Sequence, residues 1–123
     1  MCGIVGYVGP KQASPILIEG LRRMEYRGYD SAGVAVINGD GIKIKKTAGK
    51  LAALVADIQA ETPQGTIGVG HTRWATHGAP TTPNAHPHLD RSGRIAVIHN
   101  GIIENAAQIR KALVKRGHSF SSS

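Results

Sequence analysis

A chain of 123 residues holds one small domain, and with 41% hydrophobic residues but only five aromatic ones its core is expected to be aliphatic. The one cysteine, Cys2, excludes an internal disulfide and points to a reducing, cytoplasmic setting; no run reads as a membrane span or a secretory leader. The formal charge of +7 raises the question of nucleic acid, but no nucleic-acid module accompanies it, and none is expected as a partner.

In chain order, Gly3 to Gly9 alternate small and β-branched residues and read as a strand ended by Pro10. Ser14-Pro15 opens a helix, with Ser14 as N-cap and Pro15 as first helical residue; Ile16, Leu17, Leu21 and Met24 form its apolar side. Tyr26 to Ser31 is a polar loop. Ala32–Ile37 and Ile42–Lys46 are two strands of a hairpin around Asn38-Gly39-Asp40-Gly41, a sequence that tolerates positive φ. Lys43 and Lys45 alternate with Ile42 and Ile44, which reads as the solvated side of an edge strand.

Leu51, Leu54, Val55 and Ile58 mark a second helix, closed by Thr62-Pro63. Thr66 to Thr72 is a Gly-rich fourth strand, followed by an aperiodic loop, Trp74 to Pro87. Arg94 to His99 reads as a fifth strand. Ile103, Ala106, Ile109 and Leu113 mark a third helix, stopped by Gly117 after Lys115-Arg116. His118 to Phe120 could begin a further strand, so the order is β-α-β-β-α-β-loop-β-α-(β), without internal repeats.

Four groups could carry chemistry. Removal of Met1 would make Cys2 the first residue, with a thiol and a free α-amine on one carbon. An α-amine is partly unprotonated near neutrality and can take a thiol proton through one water. The bland alternative is an inert terminal thiol, but a strand that starts at once would hold this terminus in the fold. In His71-Thr72-Arg73-Trp74-Ala75-Thr76-His77-Gly78, Arg73 offers a planar fork for a carboxylate and Trp74 a lid; the bland readings are a surface ion pair and a core Trp. In His99-Asn100-Gly101, the Asn100 amide and the Gly101 N–H can aim at one oxygen, unless the pair is simply a turn. His71, His77, His86, His88 and His99 raise zinc, but none of the usual ligand spacings appears, so no metal is expected.

Cys2-Gly3-Ile4-Val5-Gly6, Tyr26-Arg27-Gly28-Tyr29-Asp30-Ser31-Ala32-Gly33, Gly70 to Gly78, Asn84-Ala85-His86-Pro87-His88 and His99 to Asn105 together resemble the class II glutamine amidotransferases. The Tyr26 to Gly33 block is similar to the branch that forms amino sugars; amidophosphoribosyltransferases and asparagine synthetases share the Cys-Gly-Ile start but differ there. The resemblance covers essentially all of the chain. It implies an α+β fold, the N-terminal-nucleophile hydrolase αββα sandwich, present only in part: residues 1–123 would be about the first half of a glutaminase domain, with the sugar-phosphate isomerase region absent. It implies that Cys2 attacks the side-chain amide of L-glutamine through a γ-glutamyl thioester. Asn100 and Gly101 match the oxyanion hole, Arg73 the carboxylate grip, Thr76 and His77 the glutamine pocket, and Trp74 a mobile loop. The ammonia would go to fructose 6-phosphate in the missing region of a longer, homo-oligomeric enzyme, without cofactor. The family continues beyond the position of Ser123 with an acidic segment whose Asp binds the glutamine α-amino group, so the chain alone is expected to turn glutamine over weakly or not at all. The competing reading is a non-enzymatic scaffold that uses its basic face.

Overall fold

The computed structural model of the protein describes residues 1–123. It contains strand β1 (Gly3–Val8), helix α1 (Ala13–Arg23), a 3-10 turn (Glu25–Arg27), β2 (Ser31–Asn38), β3 (Gly41–Ala48), α2 (Leu51–Ala60), β4 (Ile67–Arg73), β5 (His88–Leu89), β6 (Ala96–Val97) and α3 (Ala106–Lys115). Four strands form one antiparallel sheet in the order β1-β4-β2-β3, and β5 pairs with β6 in a second, two-stranded sheet.

The register of the large sheet sorts its residues onto two faces, because successive side chains alternate. The rows Tyr7/Gly68/Val36, Val5/Gly70/Val34 and Gly3/Thr72/Ala32 face the helices. There α1 and α2 close an aliphatic core of Ala13, Leu17, Ile18, Leu21, Ala32, Val34, Val36, Leu51, Leu54 and Ile58. The glycines of β4 make that contact possible. A Cβ at Gly68 would meet Leu17 at 2.8 Å, and one at Gly70 would meet Val5 at 3.0 Å. Truncating a leucine of such a core to Ala typically costs about 2–5 kcal/mol.

The opposite face is divided. The row Val8/Ile67/Ile37/Ile42 makes an apolar end, while Ile4/His71/Gly33/Lys46 and the neighbouring Arg73 and Ser31 make a polar end. The loop 84–88 and the β5–β6 pair lie over this face; a Cβ on Gly33 would lie 2.1 Å from the His86 carbonyl oxygen. The chain is thus α+β, with one complete helix–sheet layer and only a short piece of a second sheet, which agrees with a partly present αββα sandwich.

Five local expectations need correction. Ser14 does not cap α1: the helix starts two residues earlier than expected, at Ala13 with Gln12 at the cap position, and no side chain caps it. Ser14 Oγ instead donates to Pro63 O at 2.7 Å, and Gln12 Oε1 accepts the Gly65 N–H at 2.9 Å, so both residues tie α1 to the α2–β4 connection. Pro15 is still within the first turn, where its missing N–H has no intrahelical acceptor to lose. The strand expected over Arg94 to His99 shrinks to Ala96–Val97. On one side the Asp90 carboxylate accepts the Arg94 and Ile95 N–H groups, and on the other the His99 N–H goes to His86 Nδ1.

His118 to Phe120 form no strand. Arg91 holds the Gly117 carbonyl at 2.7 Å, and the tail turns back until Ser123 reaches Asn84. Helix α3 has the expected period but buries no residue; Ile109 is 42% exposed. Finally, the lysines of β3 are not simply solvated. Lys45 pairs with Asp57 of α2 and with Glu61 just beyond its end, and Lys46 turns to the other face, where its ammonium donates to the carbonyls of Pro83, Ala85 and Pro87. Neither is free to face a polyanion. No helix is long and apolar enough to cross a membrane.

Candidate active site

Cys2 immediately precedes β1, whose Gly3 lies opposite Thr72, so the thiol sits at the end of β4 beside Arg73 and Trp74. The Trp74 N–H donates to Cys2 Sγ at 3.3 Å, and the thiol lies 3.6 Å from the Trp74 carbonyl. Met1 is in place, and its ammonium donates to the Arg27 and Gly28 carbonyls at 3.1 and 2.8 Å. The start of the chain is therefore anchored on the loop after α1.

A cavity of about 210 Å³ opens in front of the thiol. It is lined by all seven residues expected from sequence: Cys2, Arg73, Trp74, Thr76, His77, Asn100 and Gly101. Residues far apart in the chain meet here because β4 delivers Arg73 and Trp74, β1 delivers Cys2, and the segment after β6 delivers Asn100 and Gly101. The wall is strongly polar and contains no Asp or Glu side chain.

Arg73 is buried, at 8% exposure, and its guanidinium donates to the carbonyls of Ala79 and His77 within its own loop. Those bonds fix the fork in place and use only part of its donor set. The ring of Trp74 is 51% exposed and lies against Gly28, so the core reading of this residue does not hold. Asp30 Oδ2 accepts the Ala75 N–H at 2.6 Å and pins the stem of the Trp74 loop to the start of β2. The ring of His99 covers Gly101: a Cβ there would meet His99 Nε2 at 2.8 Å.

Sequence reasoning missed the rear wall. His71, His86 and His88 lie in series with ring centroids 4.6 and 4.5 Å apart and ring planes tilted by 41° and 59°. Burial first, and the neighbouring cationic groups second, press His86 down to about 3 and push His88 below the ordinary imidazole range. In His71, burial is the largest cause of a lowered pKa, with the hydrogen bond to Asn100 acting in the opposite direction. The three rings are therefore neutral near pH 7. No three His, Cys, Asp or Glu side chains come together as metal ligands. Asn84 is the other unforeseen member: its amide donates to Ala79 O and Ser123 Oγ and accepts the Ser123 N–H, which brings the tail to the cavity rim. The period-2 alternation of β4 was a usable signal for His71, since it places His71 and Arg73 on one face.

No family model matches the chain. Among curated proteins, it is 62% identical over 123 residues to the glutamine–fructose-6-phosphate aminotransferase (isomerizing) of Thermus thermophilus. It is 58% identical to the enzyme of that name from Streptomyces coelicolor and 57% to that from Pyrococcus horikoshii. Each match takes in 99% of this chain but 20% of the relative, so the chain spans about a fifth of the length of these proteins. Two solved structures share its fold. One is described as the allosteric regulatory enzyme of purine biosynthesis (TM-score 0.80, 28% identity, 98% of this chain and 26% of that one). The other is the glutamine phosphoribosylpyrophosphate amidotransferase from B. subtilis complexed with ADP and GMP (TM-score 0.78, 28% identity, with the same coverage).

Proposed function

We propose that the chain is part of a glutamine amidotransferase of the N-terminal-nucleophile type, a reading supported by its likeness to the aminotransferases and the amidotransferase named above, and that its cavity binds L-glutamine and opens the side-chain amide on Cys2. The observation that carries this reading is the convergence of one thiol, one buried guanidinium and the Asn100-Gly101 pair on a single polar cavity.

Loss of Met1 frees the α-amine of Cys2. That amine takes the thiol proton, and sulfur attacks the amide carbon. The negative oxygen of the tetrahedral adduct is met by the Asn100 Nδ2–H and the Gly101 N–H. Donors placed for that oxygen rather than for the ground-state carbonyl are worth about 10²–10³ in rate each. The C–N bond breaks as the nitrogen accepts the proton held by the α-amine, and ammonia leaves. Water then attacks the thioester carbon, the C–S bond breaks and glutamate departs with the thiol restored. Arg73 grips the glutamine α-carboxylate with its unused N–H groups, while Thr76 and His77 border the ligand and Trp74 covers it. No metal or organic cofactor takes part.

Residues 1–123 act in this reading as part of a glutaminase domain. The ammonia would be fixed on fructose 6-phosphate by a region outside them, as the names of the relatives suggest. No Asp or Glu side chain lines the cavity, and on that ground we propose that residues 1–123 alone bind glutamine weakly and turn it over slowly. A chloroketone analogue of glutamine is expected to alkylate Cys2, in a reaction that excess glutamine slows and Cys2→Ser abolishes. Alkylation spread over lysines, with Cys2 spared in a folded sample, would refute the reading and favour the basic scaffold.

A further inference from the structure

His71 lies in the middle of β4, between β1 and β2, and is 1% exposed. Its Nε2 is 2.7 Å from Asn100 Oδ1. Asn100 itself has no strand or helix to hold it, and the imidazole is the side chain to which it hydrogen-bonds. Resting on the reading that Cys2 attacks glutamine, we infer that His71 is the positioning residue for the oxyanion hole: its Nε2–H holds Asn100 Oδ1 and so turns the amide NH₂ toward the cavity.

The tautomer follows from the surroundings of the ring. His71 Nδ1 is buried and has no partner in the protein. A proton on Nδ1 would create a buried N–H without an acceptor, which proteins tolerate less than an acceptor left without a donor. The proton therefore stays on Nε2. Facing an N–H, Asn100 must present its carbonyl to the ring, and its NH₂ is left for the cavity. The reversed amide would turn its oxygen toward the oxyanion and repel it. The His86 ring packs against the His71 ring at 4.6 Å, tilted by 41°, and restricts its rotation, and Gly33, directly opposite His71 in the sheet, leaves room for the His86 segment.

The test compares two alkylating agents on Cys2 of the chain with Met1 removed. A chloroketone analogue of glutamine reacts through an adduct whose oxygen needs the hole; iodoacetamide displaces iodide directly and does not. His71→Leu should slow chloroketone labelling about tenfold to a hundredfold, short of the loss from deleting an oxyanion donor outright. Iodoacetamide labelling should stay within about twofold of wild type, and His71→Gln, which restores an N–H near the Nε2 position, should recover most of the chloroketone rate. In parallel, the ¹⁵N shifts of His71 should show a protonated Nε2 and a bare Nδ1. Wild-type chloroketone labelling in His71→Leu, an equal slowing with both reagents, or a proton on Nδ1 would each overturn the inference. A wild-type chain that iodoacetamide labels and the chloroketone does not would overturn the glutamine reading instead, and the ¹⁵N tautomer would still decide the role of His71.

Discussion

Gly33→Ala is the sharpest probe of how the site is assembled. Gly33 pairs with His71 on one side and Lys46 on the other, so β2 is held by strands on both edges and cannot retreat. An added Cβ would stand 2.1 Å from the His86 carbonyl oxygen and 2.8 Å from Lys46 Cβ. The loop would have to yield by about 1 Å merely to reach tight contact, and overpacking of this kind costs about 1–3 kcal/mol. The three carbonyl acceptors of Lys46 lie in the same loop, so its displacement also loosens their bonds. Against this, replacing a glycine returns about 0.4–1 kcal/mol through the unfolded chain. The net loss should be about 1–2 kcal/mol, or roughly 4–8 °C in Tm for a chain of this size. Gly39→Ala is the matched control: it lies at the β2–β3 hairpin, and an added Cβ there meets nothing within 4 Å. Its effect should stay within about 0.5 kcal/mol. Urea and thermal unfolding followed by circular dichroism compare the two. If Gly33→Ala unfolds with Gly39→Ala and wild type, the 84–88 loop is not seated on β2, and the reasoning that places the histidine wall fails.

Acid should destabilise the fold from about pH 6.5 downward, where the free imidazole begins to take its proton. His86 titrates at about 3 in the fold, so between these values the unfolded chain binds more protons and stability rises with pH. His71 and His88 are shifted in the same direction and add to the effect. Urea midpoints should fall between pH 7 and pH 4, and fall less in His86→Gln; a flat or rising series contradicts the buried neutral wall. Asn84→Ala removes the hydrogen bonds to Ala79 and Ser123 and should cost about 1–3 kcal/mol. Faster amide exchange at Ser123 should accompany it, and unchanged exchange would show that the tail is held by something else. Leu21→Ala should cost about 2–5 kcal/mol, because its side chain is fully buried under β4. Ile109→Ala on exposed α3 should stay near wild type, and equal losses at both positions would contradict the division of the chain into a core layer and an uncovered helix.

The helix–sheet layer was legible because its signals are local. The apolar period of α2, Leu51-Leu54-Ile58, turned out to be its buried face, and Asn38 to Gly41 gave the hairpin, with Asn38 opposite Gly41. What failed was what depends on partners. Ser14 reads as a cap, but its hydroxyl is taken by Pro63, 49 residues away. Arg94 to His99 has strand composition, yet β6 has a neighbour on one side only, and its flanks are drawn off by Asp90 and His86. Lys45 and Lys46 are adjacent and chemically alike, and only the register of β3 sends one to Asp57 of α2 and the other to loop carbonyls.

The same distinction explains the site. Cys2, Arg73 and Asn100 were readable one by one, because a thiol at the terminus, a guanidinium at a strand end and an Asn-Gly pair each have a chemistry of their own. His71 was visible only as a member of the strand-end block with Arg73 and of the histidine set weighed for zinc, and neither assigned it this role. Its significance arises only from placement, with one nitrogen on Asn100 and the other facing nothing. That placement also bears on the zinc alternative. A metal site needs imidazole lone pairs converging on one point, whereas here the ring planes are tilted by 41° and 59° to one another and one Nε2 is engaged by an amide oxygen. In this reading it is the buried His71, and not the histidine set as a whole, that fixes a donor beside Cys2.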